Sequence, residues 1–452
     1  MTALPTPRRR LRRNAAALIW RRRLLFWLGA IVVGYVAVGF AAGADWAQAL
    51  FSRVNALSPY LALVLTPAGI ALSAFVGKRY FAGAQGSGIP QAIAARSIRD
   101  RARLDRLLSL KIALGKIGLT VLGLAVGASI GREGPTVQIG ASLLVWFGYR
   151  TGMGRQRGLI LAGGAAGVAA AFNTPLAGIV FAIEELSRSF ERSIGSLVLI
   201  AVILAGIAAI SVTGTASYFG ETNAILNGWK DWFVVPVVAV TGGVLGGIFA
   251  RLVIWSSRTM PALLDGFTTR RPIVFAGLCG LAIAILGIAS HASSYGSGYQ
   301  AAKAALNGHL EHPWIFTIAK LGSSLLSQMS GIPGGLLSPS LSIGAGLGAA
   351  LSHLMPNVSP GAVSVLAMVG FFVGVVQAPI TGFVIVAEMT GDQAMVIPLM
   401  ATALVATGVS KLIMPEPLYH ALADNFRNRL RDEHSQSAAT PTIDEPRMSG
   451  SV

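Results

Sequence analysis

Long charge-free stretches recur along this chain: Leu24–Ala44, Ser58–Gly77, Gly158–Ile183, Trp232–Ala250, Pro272–Ser290, Gly361–Ala387 and Met395–Ser410. Runs of this kind fit the roughly 20 residues that an α-helix needs to cross the hydrocarbon core of a bilayer. With weaker candidates between them, they predict an all-α integral membrane protein with more than ten membrane helices. Polar connections such as Asn307–Pro313 are short and leave no room for a soluble insert. Arg96–Arg106, with five arginines and two aspartates, is expected on the cytoplasmic side. After Tyr419 the chain turns polar, and from His434 it is rich in Ser, Thr and Pro, which predicts a disordered tail over residues 424–452.

Composition supports the same class. Of 452 residues, 53% are hydrophobic and 12% charged, about half the charge of an ordinary soluble domain. So little charge cannot cover several separate water-facing globules. The balance of 36 Lys and Arg against 19 Asp and Glu gives +17, which would suit a nucleic-acid binder. Eight of those arginines, however, lie in the first 23 residues, directly ahead of Leu24–Ala44 and with no acid among them. Basic residues beside a first span mark the cytoplasmic end, where anionic headgroups hold them. The excess is therefore topological, and no nucleic-acid partner is expected. The run after it exceeds the 7–15 residues of a signal-peptide core and reads as a retained first membrane helix. These features give a basic cytoplasmic segment 1–23, a transmembrane domain 24–423 and the polar tail 424–452, in a multi-pass protein of the cell (inner) membrane.

Other chemistry is sparse. Cys279 is the single cysteine, which excludes an intrachain disulfide and a cysteine-based metal cluster. The six histidines form no His-x3-His or His-Glu-x-x-His pair, and no phosphate loop appears. No enzymatic activity, metal or cofactor is expected.

The chain repeats itself. A shift of 204 residues lays Gly127–Leu143 over Gly331–Leu347 with seven identities in seventeen positions. The same shift pairs Lys116 with Lys320, Gly118 with Gly322, and Pro175, Gly178, Val180 and Glu184 with Pro379, Gly382, Val384 and Glu388. A shift of 210 sets Gly86-Ser-Gly88 on Gly296-Ser-Gly298. Four blocks in one order at nearly one offset indicate a duplication, with repeats over roughly 60–215 and 270–415. Identity alone leaves open whether the halves are parallel or inverted.

Glycine and proline cluster within apolar surroundings, in Gly86-Ser-Gly-Ile-Pro90, Gly131-Arg-Glu-Gly-Pro135 and Gly331-Ile-Pro-Gly-Gly-Leu-Leu-Ser-Pro339. Such blocks break helices, and broken backbone at membrane depth is tolerated only where protein buries it or it lines an aqueous site. A helix starting there presents unpaired N–H groups and the positive end of its dipole, which makes an anion site without a fixed cation. Glu133 lies in such a block. Its carboxylate is either a salt-bridge partner of Arg132 or an occupant of the anion's own site that leaves on protonation. Glu184 and Glu185 end a long uncharged stretch and read either as an interfacial pair or as proton acceptors.

Gly-Ser-Gly-Ile-Pro (86–90), Gly-Arg-Glu-Gly-Pro (131–135), Gly-Gly-Leu-Leu-Ser-Pro (334–339) and Pro-Leu-Tyr (417–419) together resemble the motif set of the CLC family of chloride channels and transporters. They occur in the family's order, and the resemblance covers about Leu24 to Ala423. It implies a homodimer with one pore per subunit, each built from two inverted-topology repeats of tilted and broken helices. By resemblance, Ser87 and Tyr419 contact the central chloride by their hydroxyls, and Leu336 and Leu337 by their backbone amides. Gly86, Gly88, Arg132 and Gly134 belong to the supporting motifs. Glu133 corresponds to the external gating glutamate and Glu185, beside Glu184, to the internal proton-transfer glutamate. Passive channels of the family typically carry valine at the second position, so this pair implies exchange of chloride for protons; the alternative is a passive chloride channel of the same fold. The chain departs from the family's Gly-Ile-Phe-Ala-Pro at Gly335–Pro339, which loses an aromatic at Leu337, and it has Gln91 where glutamate is common. Ser87 in place of proline leans to chloride over nitrate. The paired nucleotide-binding modules of longer members are not expected.

Overall fold

In lipid a segment must pair its own backbone N–H and C=O groups, and a helix does so locally. The computed structural model describes residues 7–439 apart from 154–156, 188–191, 216, 221, 223, 227 and 265. The first half holds α1 (Pro7–Leu57), α2 (Ala62–Tyr80), α3 (Ile89–Ala95), α4 (Arg101–Leu107), α5 (Leu110–Ala125), α6 (Glu133–Tyr149), α7 (Arg157–Phe172), α8 (Pro175–Phe181) and α9 (Arg192–Thr213). The second holds α10 (Val234–Arg258), α11 (Met260–Leu263), α12 (Phe267–Arg270), α13 (Pro272–Ala289), α14 (Tyr299–Leu306), α15 (Pro313–Met329), α16 (Leu337–Ser352), α17 (Pro360–Val376), α18 (Pro379–Thr390), α19 (Val396–Ile413) and α20 (Leu418–Ala439). Among the described residues, seven stretches are long and apolar enough to cross a membrane, and three shorter apolar helices, α7, α17 and α18, accompany them. The chain is a multi-pass membrane protein.

Proline sets many of the boundaries. The helices α8, α13, α15, α17 and α18 each begin on a proline, whose missing N–H costs nothing at the first helical position. Ser58, ahead of Pro59, is extended (φ −162°, ψ 121°) and separates α1 from the turn that leads into α2.

Two outer boundaries differ from the sequence expectation. The first helix is not confined to Leu24–Ala44 behind a separate basic segment 1–23; α1 is one helix of 51 residues from Pro7. Arginine, alanine and leucine are strong helix formers, and no proline intervenes before Pro59. At the other end α20 continues to Ala439, where residues 424–452 were expected to lack structure. Asp424 pairs with Arg427 at 2.6 Å, one turn apart, and Phe426 packs on the core. Residues 1–6 and 440–452 of those two segments lie outside the described residues.

The duplication is visible in the packing. Counterparts at the repeat offsets meet each other: α2 lies on α13 and α8 on α18. Gly131 and Gly335 exchange both backbone hydrogen bonds, Gly131 N–H to Gly335 O at 2.8 Å and Gly335 N–H to Gly131 O at 2.7 Å. They form an antiparallel bridge between residues that are themselves counterparts. Equivalent residues that pair reciprocally define a local two-fold axis, the relation an inverted repeat requires. The helices that start from this bridge, α6 and α16, are largely buried, as are the apolar α7 and α17 that pack on them. A helix apolar on every side has no water-facing stripe and belongs inside.

Candidate functional site

The three glycine- and proline-rich blocks meet at this axis. Gly86 N–H donates to Ile332 O (3.2 Å) and Gly334 N–H to Gly86 O (3.0 Å), which joins the first block to the third beside the Gly131–Gly335 bridge. The first block and its repeat counterpart at Gly296-Ser-Gly298 are each held by a buried lysine. Lys116 Nζ donates to Ala84 O (2.8 Å) and Gly86 O (2.7 Å); Lys320 Nζ donates to Ser294 O (3.1 Å) and Gly296 O (2.6 Å). Both lysines are fully buried, and they perform the same task in the two repeats. The sequence pairs them; their role appears only in three dimensions.

From these loops α3, α6 and α16 begin within a few ångströms of one another. Gly134, in the first turn of α6, has no room for a side chain: a Cβ would stand 2.5 Å from Ser87 Oγ and 3.2 Å from Gly335 Cα. Gly88 takes φ +103°, and a Cβ there would stand 2.7 Å from Gly134 O. Gln91 supports this turn, its Oε1 accepting from Gly88 N–H (3.0 Å) while its Nε2 donates to Gln85 O. The amide thus replaces the common glutamate with an acceptor and a donor, both used.

Leu336 caps α16 and Leu337 is its first residue. The Ser340 N–H is the one bonded to Leu336 O (2.9 Å), so the amides of Leu336 and Leu337 precede the helix's own bonding. Ser87 Oγ and Tyr419 OH are buried and have no hydrogen-bond partner among the described residues. Unpaired polar groups of this kind are costly inside a protein unless a ligand satisfies them, and a hydroxyl beside helix amides suits an anion.

Glu133 opens α6, fully buried, and neither carboxylate oxygen has a hydrogen-bond partner among the described residues. Arg132 is mostly engaged elsewhere. Its Nη1 stands 2.5 Å from Asp45 Oδ1 and donates to Ala41 O (2.9 Å), its guanidinium lies 5.9 Å from the centre of the Tyr218 ring, and its Nε is 3.9 Å from Glu133. Of the two readings left open by the sequence, a dedicated Arg132 salt bridge is therefore the weaker. Asp45, the stronger partner, ends an apolar run without any motif and escapes sequence reasoning.

Glu184 and Glu185 lie in a π-helical turn, Ala182–Ser187, that continues α8. Their roles differ. Glu184 accepts from the first amides of α18, Ile380 N–H (3.1 Å) and Thr381 N–H (2.6 Å). Glu388, its counterpart, accepts from those of α8, Leu176 N–H (3.1 Å) and Ala177 N–H (2.7 Å). The two halves thus exchange carboxylate caps across the two-fold axis. Glu184 is a tether and not an interfacial charge, and Glu388 is a cap that the repeat marked without revealing its use. Glu185 is 1% exposed, and His420 lies against it, with Nε2 2.9 Å from its backbone oxygen and 3.9 Å from Oε1. His420 stands directly after Pro-Leu-Tyr, a position that carries no sequence signal.

Residues 69–411 match the family described as Voltage gated chloride channel. An H(+)/Cl(-) exchange transporter ClcA from Yersinia pestis bv. Antiqua (strain Angola) is 31% identical over 444 residues, covering 92% of this chain and 89% of the relative. A transporter of the same name from Salmonella arizonae is 31% identical over 435 residues, with 91% and 90% coverage. Among solved structures, a slow cyanobacterial Cl-/H+ antiporter superposes with TM-score 0.77 at 24% identity, covering 91% of this chain and 99% of that one. A CLC-type fluoride/proton antiporter does so with TM-score 0.75 at 22% identity, covering 88% and 96%.

Proposed function

Because this chain belongs to the voltage gated chloride channel (CLC) family, we propose that it exchanges chloride for protons across the membrane, with Glu133 as an anion-competing gate. One observation carries the reading. At the convergence of α3, α6 and α16, the hydroxyls of Ser87 and Tyr419, without a hydrogen-bond partner among the described residues, lie beside the first amides of one helix and a buried carboxylate at the start of another.

The chemistry follows from charge. Chloride is drawn to the positive helix ends and accepts hydrogen bonds from Ser87, Tyr419 and the Leu336 and Leu337 amides. The Glu133 carboxylate carries the same charge and competes for the same field. A proton neutralises it, removes that attraction and lets it swing aside, so anion entry and proton uptake are two sides of one event. Glu185 passes the proton between Glu133 and the cytoplasm; support for this comes from its burial beside the partly exposed His420. Glu184 and Arg132 hold the two glutamates' surroundings in place. The retained glutamate pair favours coupled exchange over a passive channel. The exposed apolar faces of the counterpart helices α9 (Leu199, Ile203) and α19 (Ile397, Leu404) are consistent with a second copy of the chain, hence a homodimer in the inner membrane with a cytoplasmic N-terminus.

The test is simultaneous chloride and proton flux from purified protein in liposomes. Under an outward chloride gradient, protons are expected to enter uphill. Chloride flux that moves no protons would instead assign a passive channel.

A further inference from the structure

We infer that His420 delivers protons to Glu185 from the aqueous end of the path. The inference rests on the exchange reading above and adds to it the residue at which the proton leaves water. Glu185 is 1% exposed and cannot draw a proton from solvent directly, whereas the His420 side chain is 21% exposed and touches it.

The contact fixes the chemistry of the ring. Glu185 O is a carbonyl and accepts only, so Nε2, at 2.9 Å, carries the hydrogen. In the neutral imidazole the lone pair is then on Nδ1, which takes a proton from water. The resulting imidazolium holds N–H bonds at both nitrogens. The Glu185 carboxylate oxygen lies 3.9 Å from Nε2, so a movement of about 1 Å brings it to charge-assisted hydrogen-bond range. The Nε2 proton passes to Oε1; imidazolium and carboxylate become neutral imidazole and carboxylic acid, and the charges balance. Histidine suits this step because its charge changes near neutral pH.

Several charged groups on the surrounding elements have other partners, and Arg251 on α10 is exposed. Arg96, at the end of α3, donates to the backbone oxygens of Leu186 and Ser187, and Glu184 is occupied by the α18 amides. On α10, Arg258 pairs with Glu416 (3.0 Å); on α20, Asp424 pairs with Arg427; α17 carries no charged residue. Among the described side chains, His420 joins a partly exposed surface to the buried carboxylate.

The experiment compares wild type, H420Q and H420A in liposomes, with proton and chloride rates read while the pH on the Glu185 side is varied between about 5 and 8. Glutamine keeps an N–H donor to Glu185 O but cannot titrate. Coupled proton and chloride rates are expected to fall on the order of 10-fold in H420Q and to lose their dependence on that side's pH. Added imidazole should restore H420A. In an E133Q background, where no proton need be delivered, the H420Q substitution should leave chloride flux unaltered. A coupled wild type whose H420Q variant keeps the full rate and pH profile overturns this inference alone, as does an equal loss of chloride flux in the E133Q background. A wild type that moves chloride without protons overturns the exchange reading, and this inference with it.

Discussion

The two halves of the molecule share a backbone plan and divide the chemistry. Glu133 in the first half has Leu337 as its counterpart, and Glu185 has Met389. Ser87 keeps a free hydroxyl, while the hydroxyl of Ser297, its counterpart, lies 3.2 Å from Gln48 Oε1. In contrast, Lys116 and Lys320 do the same work, as do Glu184 and Glu388. Duplication has preserved the groups that hold loops and helix starts, and has diverged at the positions proposed to face chloride and protons. One half offers titratable carboxylates and a free hydroxyl; the other offers bare amides. A symmetric pair of amide sites would bind anions without moving protons, and a symmetric pair of carboxylates would exclude anions.

This contrast can be broken at chosen positions. The largest effects are expected at the diverged carboxylates. Glu133→Gln should abolish proton transport while leaving uncoupled chloride flux, and Glu185→Gln should abolish it with the gate intact, both read from paired flux assays. Uphill proton movement that survives in either variant removes that residue from the path. Making the halves alike, by Leu337→Glu, should place a second competing carboxylate at the start of α16 and suppress chloride flux; isothermal titration with chloride checks whether binding is lost. Next come the shared lysines. Lys116→Met and Lys320→Met each strand two buried carbonyls at about 1–3 kcal/mol per unsatisfied group, so both should lower the yield of folded protein and the thermal midpoint by similar amounts. A large difference between them would mean that the repeats are not equivalent scaffolds.

Smaller still is the serine pair. Ser87→Ala should weaken chloride affinity by about 1 kcal/mol, roughly five-fold, whereas Ser297→Ala should leave affinity unchanged in the same titration. The smallest effect is expected at Glu388. Removing this cap from α8 by Glu388→Gln should cost about 0.5–2 kcal/mol of stability, detectable as a thermal shift, with the ratio of chloride to proton flux retained. A change in that ratio would make Glu388 more than a tether.

Much of this was legible in the residues because lipid leaves few options. Charge-free runs declare membrane helices, glycine-proline blocks declare broken ones, and fixed offsets expose the duplication. Positions such as Ser87, Glu133 and Leu337 stand out because a break in a membrane helix must have a purpose. What escaped reading is tertiary in origin. Asp45 reaches Arg132 from a different helix, and Glu388 caps a helix more than 200 residues earlier. His420 meets Glu185 only because α20 starts beside the π-helical turn. The helices run further than the polarity pattern predicts at both ends, to Pro7 and to Ala439, because local helix formers outweigh polarity.

The reciprocal bridge between Gly131 and Gly335 also constrains how the protein can work. Many duplicated carriers expose their cargo to alternate sides by rocking one half against the other. Here the hinge line of such a motion would pass beside the proposed anion site, and two short backbone hydrogen bonds are sewn across it. Exchanged caps at Glu184 and Glu388 close the same seam a second time. These contacts oppose a separation of the halves along this seam, and the exchange proposed above would instead use the swing of the Glu133 side chain.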